Sequence, residues 1–291
     1  MRNRENRLGG GEVPSPLFAI WNVLDDSSLI SPNPFRALLS GLVIVFQTIL
    51  LLGPYLLFFY QPQVRRAING LWQRVTCRMA GLEIEVRGEP VRDGKRLFVG
   101  NHVSYLDIPV IASQLPDVCF VAKAEVRSWP FFGFLANLAR TVYIRREPAQ
   151  AMAQRDLLNK RMTNGDSLYI FAEGTSTNGH DVLAFKSSLF SITEARPGEE
   201  PITVQPVSIA YVRYADGRPL IGGLEDYYAW YGDMDLGPHL SDVLGLKGAK
   251  VRLTFHDPMV VEPGRTRKEV AKVAQQAVSE GVQRSRAYWL G

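Results

Sequence analysis

The stretch LFVGNHVSYLD, residues 97–107, joins an apolar run to a polar loop that contains a histidine and an aspartate. Its first three residues predict a buried strand, and the apolar residues 108–115 predict a helix behind the loop. His102 and Asp107 are five positions apart and would point to different sides of one continuous helix. They can meet if His102 stays in the loop, Ser104 is the helix N-cap and Asp107 takes the third helical position.

In such an arrangement the carboxylate binds one imidazole nitrogen, and the other nitrogen can take a proton from a substrate hydroxyl. That is a general-base dyad, and it requires no serine nucleophile. The spacing alone is weak support, because a loop histidine followed by a helix-capping aspartate is a common structural feature. Metal ligation by the same pair would need a third ligand, and no convincing spacing supplies one. The other histidines, His180, His239 and His256, lack comparable partners and are expected on loops or in local contacts.

Composition narrows the class of protein. The chain has 291 residues, 46% of them hydrophobic, and a net charge of +4 that favours anionic surfaces, phosphates or acidic carrier proteins. It has no dense Lys/Arg run with interleaved aromatic residues, so nucleic acid is not an expected partner. Cys77 and Cys119 show no metal-site spacing and are predicted to be free thiols in a reducing compartment.

The amino-terminal part predicts membrane contact. Residues 1–34 form a loose, partly basic tail without the features of a signal peptide, and residues 37–60 carry no charge. As one helix, 37–60 would reach about 36 Å, enough for a hydrocarbon core of about 30 Å, but Gly53-Pro54 is expected to kink it. Positive charge is balanced on both flanks, so a helical hairpin that enters and leaves on one face is an alternative to a span. The prediction is a membrane-associated helical segment over 35–80.

The remainder, residues 81–291, predicts one α/β domain. Strands are expected near 83–86, 97–100, 118–122, 141–144, 167–171, 203–211 and 250–255. Helices are expected near 107–115, 130–139, 149–164, 185–195 and 267–286. This alternation predicts a mixed or mostly parallel sheet flanked by helices.

Three more segments carry polar residues at strand ends. ARTVYIRR (139–146) has Arg145 at the carboxyl end of a strand, LYIFAEGTS (168–176) is a strand that enters a tight turn, and VQPVSI (204–209) is an apolar strand with a proline. Ligands of α/β sheets bind beyond the carboxyl ends of strands, so these segments are candidates for the same site as His102.

Together, NHVSYLD, VYIRR, FAEGTS and VQPVSI resemble, in order and spacing, the four motifs of the glycerolipid acyltransferases that acylate lysophosphatidate and related lysolipids. The resemblance covers about residues 82–215, and the family also has membrane helices before the dyad. It implies an O-acyltransferase with His102 as general base and Asp107 as its orienting acid. It further implies a substrate-binding set, which comprises Lys123 and Arg145 as phosphate contacts and the turn residues Glu173, Gly174, Thr175 and Ser176.

The resemblance also implies the partners of the reaction. An acyl-CoA or acyl-carrier protein thioester would be the donor, a lysolipid the acceptor, and no further cofactor is expected. Backbone N–H groups of the turn 173–175 would receive the oxyanion or shape the acceptor site, and Glu173 would contact an acceptor hydroxyl or brace the loop. The expected location is the lipid bilayer, at the bacterial inner membrane with the active site on the cytoplasmic face.

Two residues depart from the family pattern. Ala172 stands where the third motif usually has proline, and Ser176 stands where relatives have an arginine that grips the acceptor phosphate. Serine supplies neither the charge nor the fork of a guanidinium. The acceptor is therefore not a phosphomonoester, or Arg145, Arg146, Arg140 or Lys123 takes over the grip. FVAKAEV and YYAWYGDMDL resemble a bacterial branch that includes lyso-ornithine lipid acyltransferases.

Two other functions remain open on the sequence. In an acyl-thioesterase, water would replace the lipid hydroxyl at the same dyad, and release of fatty acid without any acceptor would identify it. A non-catalytic membrane lipid-binding protein would keep all its properties after His102→Ala.

Overall fold

Eight strands form one mixed sheet in the computed structural model, which describes residues 31–129, 132–145, 151–194, 199–220, 224–262 and 264–287. The strands are β1 Leu82–Arg87, β2 Lys95–Gly100, β3 Val118–Lys123, β4 Val142–Ile144, β5 Ser167–Phe171, β6 Ile202–Tyr214, β7 Ala249–Phe255 and β8 Met259–Val261. The helices are α1 Pro34–Leu57, α2 Pro62–Met79, α3 Asp107–Gln114, α4 Phe132–Leu138, α5 Ala151–Thr163, α6 Leu236–Gly245 and α7 Arg267–Ala287. The mixed α/β sheet with flanking helices is the predicted fold class, and the prediction is confirmed.

The strand order is β1-β7-β6-β2-β5-β3-β4, with β8 beside the first part of β6. Helical crossovers separate β2, β3, β4 and β5, and these strands are parallel, as such connections require. β6 is parallel to β2 and antiparallel to β7. Because β2 ends at Gly100 opposite Val207, the last seven residues of β6 extend past the carboxyl end of β2.

The sheet is buried on both faces near its centre. Leu97 and Val99 of β2 belong to one apolar cluster with residues of α5 and α7. Phe98, between them, is also fully buried and points to the opposite face, since side chains alternate along a strand. The centre of the sheet is therefore rigid, and the loops at its carboxyl edge start from fixed points.

α1 continues through Gly53 and Pro54 to Leu57, so these residues do not end the helix, and the kink expected there stays a prediction. Proline removes one backbone hydrogen bond, but the last turn is held by Tyr55, a buried residue whose hydroxyl donates to the carbonyl of Leu138. Among the described residues, α1 is the one helix long and apolar enough to cross a bilayer. In its most apolar stretch of 18 residues, 11% of the residues are buried.

The two faces of α1 differ. Its polar residues face the protein, where the Gln47 amide donates to the Thr76 hydroxyl over 3.0 Å and Thr48 accepts from the Trp72 indole over 2.8 Å. The opposite face is apolar and exposed along the whole helix, at Phe35, Leu38, Leu42, Phe46, Ile49, Leu50 and Leu57. We call these seven residues the apolar stripe.

Several elements differ from the sequence prediction. α6 was not predicted, because the sequence of Leu236–Gly245 contains Gly237 and Pro238 and resembles a loop, yet proline is tolerated in a first helical turn. β8, three residues long, was also missed. The helix expected over 185–195 is a 3-10 segment, Ser187–Thr193, in which the Thr193 hydroxyl bonds the carbonyl of Phe190. Residues 1–30 of the predicted tail, and residues 130, 131, 149, 150 and 195 of three predicted helices, lie outside the described residues.

Candidate active site

His102 and Asp107 meet at the carboxyl end of β2. The imidazole Nδ1 lies 2.8 Å from Asp107 Oδ2, so the predicted dyad geometry is present. The Asp107 side chain is fully buried, whereas the His102 side chain is 21% exposed. A carboxylate on Nδ1 favours the tautomer that carries a proton there, which leaves Nε2 as an acceptor. Among the described residues none hydrogen-bonds to Nε2, so this atom is available to a substrate.

Asp107 is held by more than the histidine. Its Oδ2 also accepts the backbone N–H groups of Val103 at 2.7 Å and Ser104 at 3.0 Å, and its Oδ1 accepts the Tyr211 hydroxyl at 2.9 Å. A buried carboxylate requires such donors. The expected local geometry was wrong in one respect, because α3 begins at Asp107 and Ser104 is not its N-cap. The carboxylate itself reaches back over the loop and orders it.

The His102 ring packs on Phe171 at the end of β5. The two ring centroids are 3.9 Å apart and the planes are inclined by 18°, which is a stacked arrangement. The stacking and the bond to Asp107 fix the imidazole from two directions. The imidazole therefore needs little reorganisation before it could accept a proton.

Asn101 attaches the histidine loop to β6. Its amide Nδ2 donates to the carbonyl of Ile209, and its Oδ1 accepts the Ile209 N–H, both over 2.9 Å. Because β2 ends at Gly100, this side chain continues the pairing with β6 by one further step. It also brings Tyr211, two residues beyond Ile209, to Asp107.

Glu173 braces the same loop from the other side. Its Oε1 accepts the His102 N–H and its Oε2 accepts the Leu183 N–H, both over 2.8 Å, and the residue is 1% exposed. The geometry therefore favours the bracing role over the direct contact with an acceptor that the sequence left open. Burial raises the pKa of Glu173 to about 7, and the two backbone N–H groups oppose that rise.

The turn after Glu173 lies beside His102. Gly174 has a φ of +72°, a conformation that favours glycine, and its N–H donates to the carbonyl of Phe171 over 3.0 Å. The Gly174 amide is thus not free for an oxyanion. The N–H groups of Thr175 and Ser176 make no hydrogen bond with any other described residue. Thr177 closes the turn, because its N–H donates to the carbonyl of His102 over 2.9 Å.

The predicted cations lie at different places. Lys123 is the last residue of β3 and Arg145 directly follows β4; both are exposed, two and three strands from β2. At about 4.8 Å per strand these positions are roughly 10 and 14 Å from β2. Arg140 cannot take over the phosphate contact of the arginine that relatives have at position 176. Its guanidinium group forms a bidentate ion pair with Asp166 at 2.8 and 2.9 Å, next to the amino end of β5. Arg146 lies outside the described residues.

The remaining histidines have local partners, as expected. His180 pairs with Glu225, and His239 Nδ1 lies 2.9 Å from the Tyr105 hydroxyl. His256 Nε2 lies 2.9 Å from the Ser208 hydroxyl. Over the ranges that the structure describes, no three His, Cys, Asp or Glu side chains are grouped as metal ligands.

Three residues of the site were missed by the sequence analysis, namely Asn101, Phe171 and Tyr211. Asn101 and Phe171 are the first residues of the segments NHVSYLD and FAEGTS, and this position was the available signal. Tyr211 lies 104 residues from Asp107 and is separated from VQPVSI by one residue. Its alternation with Ile209 on one strand was the only hint that it points toward the loop.

Comparisons with known proteins identify the family of this chain. Residues 83–210 match the family model described as Acyltransferase. The lyso-ornithine lipid O-acyltransferase of Rhizobium meliloti is 34% identical over 251 residues, which cover 84% of this chain and 85% of that protein. The 1-acyl-sn-glycerol-3-phosphate acyltransferase of Neisseria meningitidis is 29% identical, over 67% of this chain and 72% of its own.

A solved structure has the same fold. The crystal structure of the 1-acyl-sn-glycerophosphate (LPA) acyltransferase from Thermotoga maritima superposes with a TM-score of 0.59 at 22% sequence identity. The match covers 86% of this chain and 96% of that chain, so it includes more than the sheet alone.

Proposed function

The chain belongs to the glycerolipid (lysophospholipid) acyltransferase family, and from this membership we propose that it moves a fatty acyl group from an acyl thioester to the free hydroxyl of a lysolipid, with lyso-ornithine lipid as the preferred acceptor. The observation that carries the proposal is the fixed His102–Asp107 pair, in which Nδ1 is bound at 2.8 Å and Nε2 makes no hydrogen bond with a described residue.

The reaction follows from this pair. As the acceptor hydroxyl attacks the thioester carbonyl, its proton moves to His102 Nε2 and a C–O bond forms. The tetrahedral intermediate then expels the thiolate, which takes the proton back from the imidazolium. Asp107 keeps Nδ1 protonated and stabilises the imidazolium, and such general-base assistance contributes about 10²–10⁴-fold in rate. The Thr175 and Ser176 N–H groups are the proposed donors to the oxyanion.

Ser176 supports an acceptor without a phosphomonoester. The side chain follows the Glu-Gly-Thr turn beside His102, where a guanidinium would supply a bidentate phosphate contact and serine supplies none. The lyso-ornithine lipid O-acyltransferase of Rhizobium meliloti covers more of this chain, at higher identity, than the glycerol-phosphate acyltransferase of Neisseria meningitidis. Both facts favour the ornithine-bearing acceptor.

The apolar stripe of α1 supports insertion from one side of the bilayer. A helix whose polar residues contact the protein, and whose other face is apolar along its whole length, is stabilised when that face enters lipid. The acyl thioesters of CoA and carrier proteins are cytoplasmic, so we assign the enzyme to the cytoplasmic face of the inner membrane. The acceptor then reaches His102 from the lipid, and the donor from water.

An acceptor panel tests the proposal. Wild type, His102→Ala and Ser176→Arg are given labelled acyl-CoA or acyl-carrier protein with lyso-ornithine lipid, with lysophosphatidate or with no acceptor. Wild type should acylate lyso-ornithine lipid at the higher rate, and His102→Ala should lose about 10²–10⁴-fold. Ser176→Arg should raise the rate with lysophosphatidate about tenfold or more, since one charged contact contributes about 1.5–3 kcal/mol.

Thr163→Arg is the matched control, because it adds the same charge at an exposed position next to the amino end of β5. It should leave the acceptor preference unchanged. Fatty acid release that is equally fast without acceptor would establish hydrolysis and contradict acyl transfer. A wild type that prefers lysophosphatidate would contradict the assignment of the acceptor and leave the reaction class intact.

A further inference from the structure

A cleft far from the dyad has a basic lining that the reaction does not use. It lies between α2 and the amino ends of β3 and β5 and is open to solvent, with about 320 Å³ of space that includes the solvent at its mouth. Its polar lining includes Tyr55, Arg65, Arg66, Asn69, Arg140 and Asp166. We call it the basic cleft. The six residues of β3 separate it from the catalytic edge by roughly 16–20 Å.

The carboxylates around the basic cleft are already engaged. Both oxygens of Asp166 bind Arg140, and Oδ2 also receives Arg161. Asp117 accepts the Ser167 hydroxyl and lies 3.6 Å from Arg96. The lining therefore has more guanidinium groups than carboxylates.

Arg65 and Arg66 are the cations without a counterion. No carboxylate of the described residues lies within 4 Å of either guanidinium group. Arg65 uses Nη1 to donate to the carbonyl of Phe59 over 2.7 Å, and Arg66 has a buried Nε that finds no acceptor among the described residues. Burial and the nearby charge of Arg140 lower the pKa of Arg65, and Tyr55 and the more distant carboxylate of Asp166 offset this only in part. An anion in the cleft would relieve this repulsion and satisfy the free donors.

Arg140 is also unusual in its backbone. Its φ is +60°, and it is the one non-glycine residue with positive φ in the described part of the chain. A strained arginine is maintained only where its surroundings fix it, and such residues cluster at ligand sites. Arg140 lines the cleft, and Asp166 binds its guanidinium group.

The neighbouring surface is apolar. Tyr55, at the cleft, lies two residues from Leu57 at the end of α1, and Leu57 and Tyr60 of the α1–α2 turn are among the most exposed side chains. A group bound in the cleft would therefore lie where the apolar stripe ends. That is the depth at which lipid phosphates meet protein cations.

We propose that the basic cleft is a second anion-binding site, separate from the catalytic edge, which takes a phosphate group through the guanidinium groups of Arg65 and Arg66. The geometry favours a phosphate carried by an anionic lipid headgroup over a soluble phosphate. A lipid phosphate bound in the cleft would fix how α2 and the α/β domain are oriented relative to the bilayer surface. Catalysis in detergent, with no anionic lipid, does not require it.

Vesicle binding of the full chain tests the site. Wild type and the double variant Arg65→Gln/Arg66→Gln are sedimented with phosphatidylglycerol-containing vesicles and with phosphatidylcholine vesicles. The control Arg74→Gln/Arg78→Gln removes the same charge from exposed positions on the same helix. The cleft variant should lose about tenfold more affinity for the anionic vesicles than the control loses, because it removes bidentate contacts as well as charge.

A second pair of variants keeps the arginines and their folding contacts. Asn69→Asp places a carboxylate in the cleft lining, and Asn164→Asp makes the same change at an exposed turn. Asn69→Asp should weaken binding to anionic vesicles several-fold, and Asn164→Asp should not. If each cleft variant and its control weakened vesicle binding equally, the attraction would come from diffuse surface charge, and the proposal would be overturned.

Soluble ligands separate the two sources of phosphate. Inorganic phosphate and glycerol 3-phosphate are titrated while the melting temperature is followed and vesicle binding is competed. Weak stabilisation in wild type that is lost in the cleft variant supports the site, and poor competition identifies the lipid as its source. Strong competition identifies a soluble phosphate instead. Activity with short-chain lysolipid in detergent should be unchanged in the cleft variant, and a loss there would overturn the separation from catalysis.

Discussion

At the scale of single residues, Asp107 organises the site. One oxygen takes three donors, the His102 ring and two backbone N–H groups, while the other takes the Tyr211 hydroxyl. The same carboxylate therefore orients the His102 imidazole and shapes the loop that carries it. Substitutions at Asp107 can separate charge from shape, because asparagine has nearly the same outline.

We predict that Asp107→Asn preserves the fold and removes most of the activity. The asparagine oxygen can take the three donors, and its amide can donate to Tyr211, whose hydroxyl oxygen also accepts. The charge that stabilises the imidazolium is lost, so kcat should fall about 10²–10⁴-fold. Steady-state kinetics and thermal melting measure the two effects.

Tyr211→Phe is the comparison variant, since it keeps the carboxylate and removes one hydrogen bond to it. It should lower kcat by about tenfold or less and lower the free energy of unfolding by about 1.5–3 kcal/mol.

An Asp107→Asn variant with kcat within about threefold of wild type would contradict the general-base mechanism.

A second residue-scale prediction concerns pH. Burial raises the pKa of Glu173 to about 7, above the value of 4.5 for an unperturbed glutamate. Between these values the folded protein holds a proton that the unfolded chain has released, so this group stabilises the fold at low pH. Its contribution is complete below pH 4.5 and is lost as the pH rises through about 7, by on the order of 2–3 kcal/mol.

Glu173→Gln removes this titration. The melting temperature of wild type minus that of the variant should therefore be larger at pH 5 than at pH 8, by about 5 °C. Thermal melting in detergent across this range measures it. A difference that stays constant with pH would show that Glu173 does not titrate there.

At the scale of elements, the loop after β5 supports the loop after β2. Gly179 has a φ of +75°, and a Cβ there would lie 3.1 Å from both methyl groups of Val103, the residue next to His102. The two loops are thus in van der Waals contact directly behind the base. A side chain at residue 179 would push on the dyad.

We predict that Gly179→Ala lowers kcat about tenfold, because displacements well under 1 Å reduce catalysis. It should also lower the free energy of unfolding by more than Gly165→Ala does. Gly165 has a φ of +85°, and a Cβ added there would have no atom within 4 Å. The control carries only the conformational cost of about 1–2 kcal/mol. Kinetics and melting of both variants test this, and equal losses of activity would show that the contact with Val103 does not matter.

The strands were predictable from sequence, and some of the connections were not. Seven strands were found near their predicted positions because apolar runs between turn residues are a local signal. Leu236–Gly245 forms a helix although its sequence resembles a loop, and Ser187–Thr193 forms a 3-10 segment instead of an α-helix, since packing decides between weak local preferences.

The contacts of the candidate site also include some that were predictable from sequence and some that were not. His102 and Asp107 are close in sequence, and their spacing was sufficient to predict their contact. The contact of Tyr211 with Asp107 and the bond of Glu173 to the His102 N–H depend on which strands are neighbours in the sheet. Strand order is not encoded in any short segment, so these partners could not be derived from the residues alone.

At the scale of the whole molecule, the apolar stripe is the surface that we propose to contact the membrane. Leu42 and Ile49 are 58% and 70% exposed, seven residues apart on one face of α1. Replacing both by glutamate leaves the packed face of the helix untouched. A charge in the hydrocarbon costs about 2.5–3.5 kcal/mol.

We therefore predict that Leu42→Glu/Ile49→Glu lowers the membrane-bound fraction at least about tenfold, with little change in melting temperature in detergent. Leu157→Glu/Leu183→Glu is the control, because both leucines are about half exposed, at 45% and 47%, and lie outside α1. Sedimentation of vesicles measures the bound fraction. Equal partitioning of the two variants would contradict membrane contact through α1.

The pairing of Asn101 with Ile209 has a consequence for how the enzyme loses activity when it unfolds. This side chain behaves as one more rung of the β2–β6 ladder, so the segment that bears the base cannot detach while the middle of the sheet remains intact. Fraying of α1 or of the outer strands should leave turnover unaffected. The amide of Ile209 should exchange with deuterium as slowly as those of the innermost residues, and inactivation by heat should coincide with global melting.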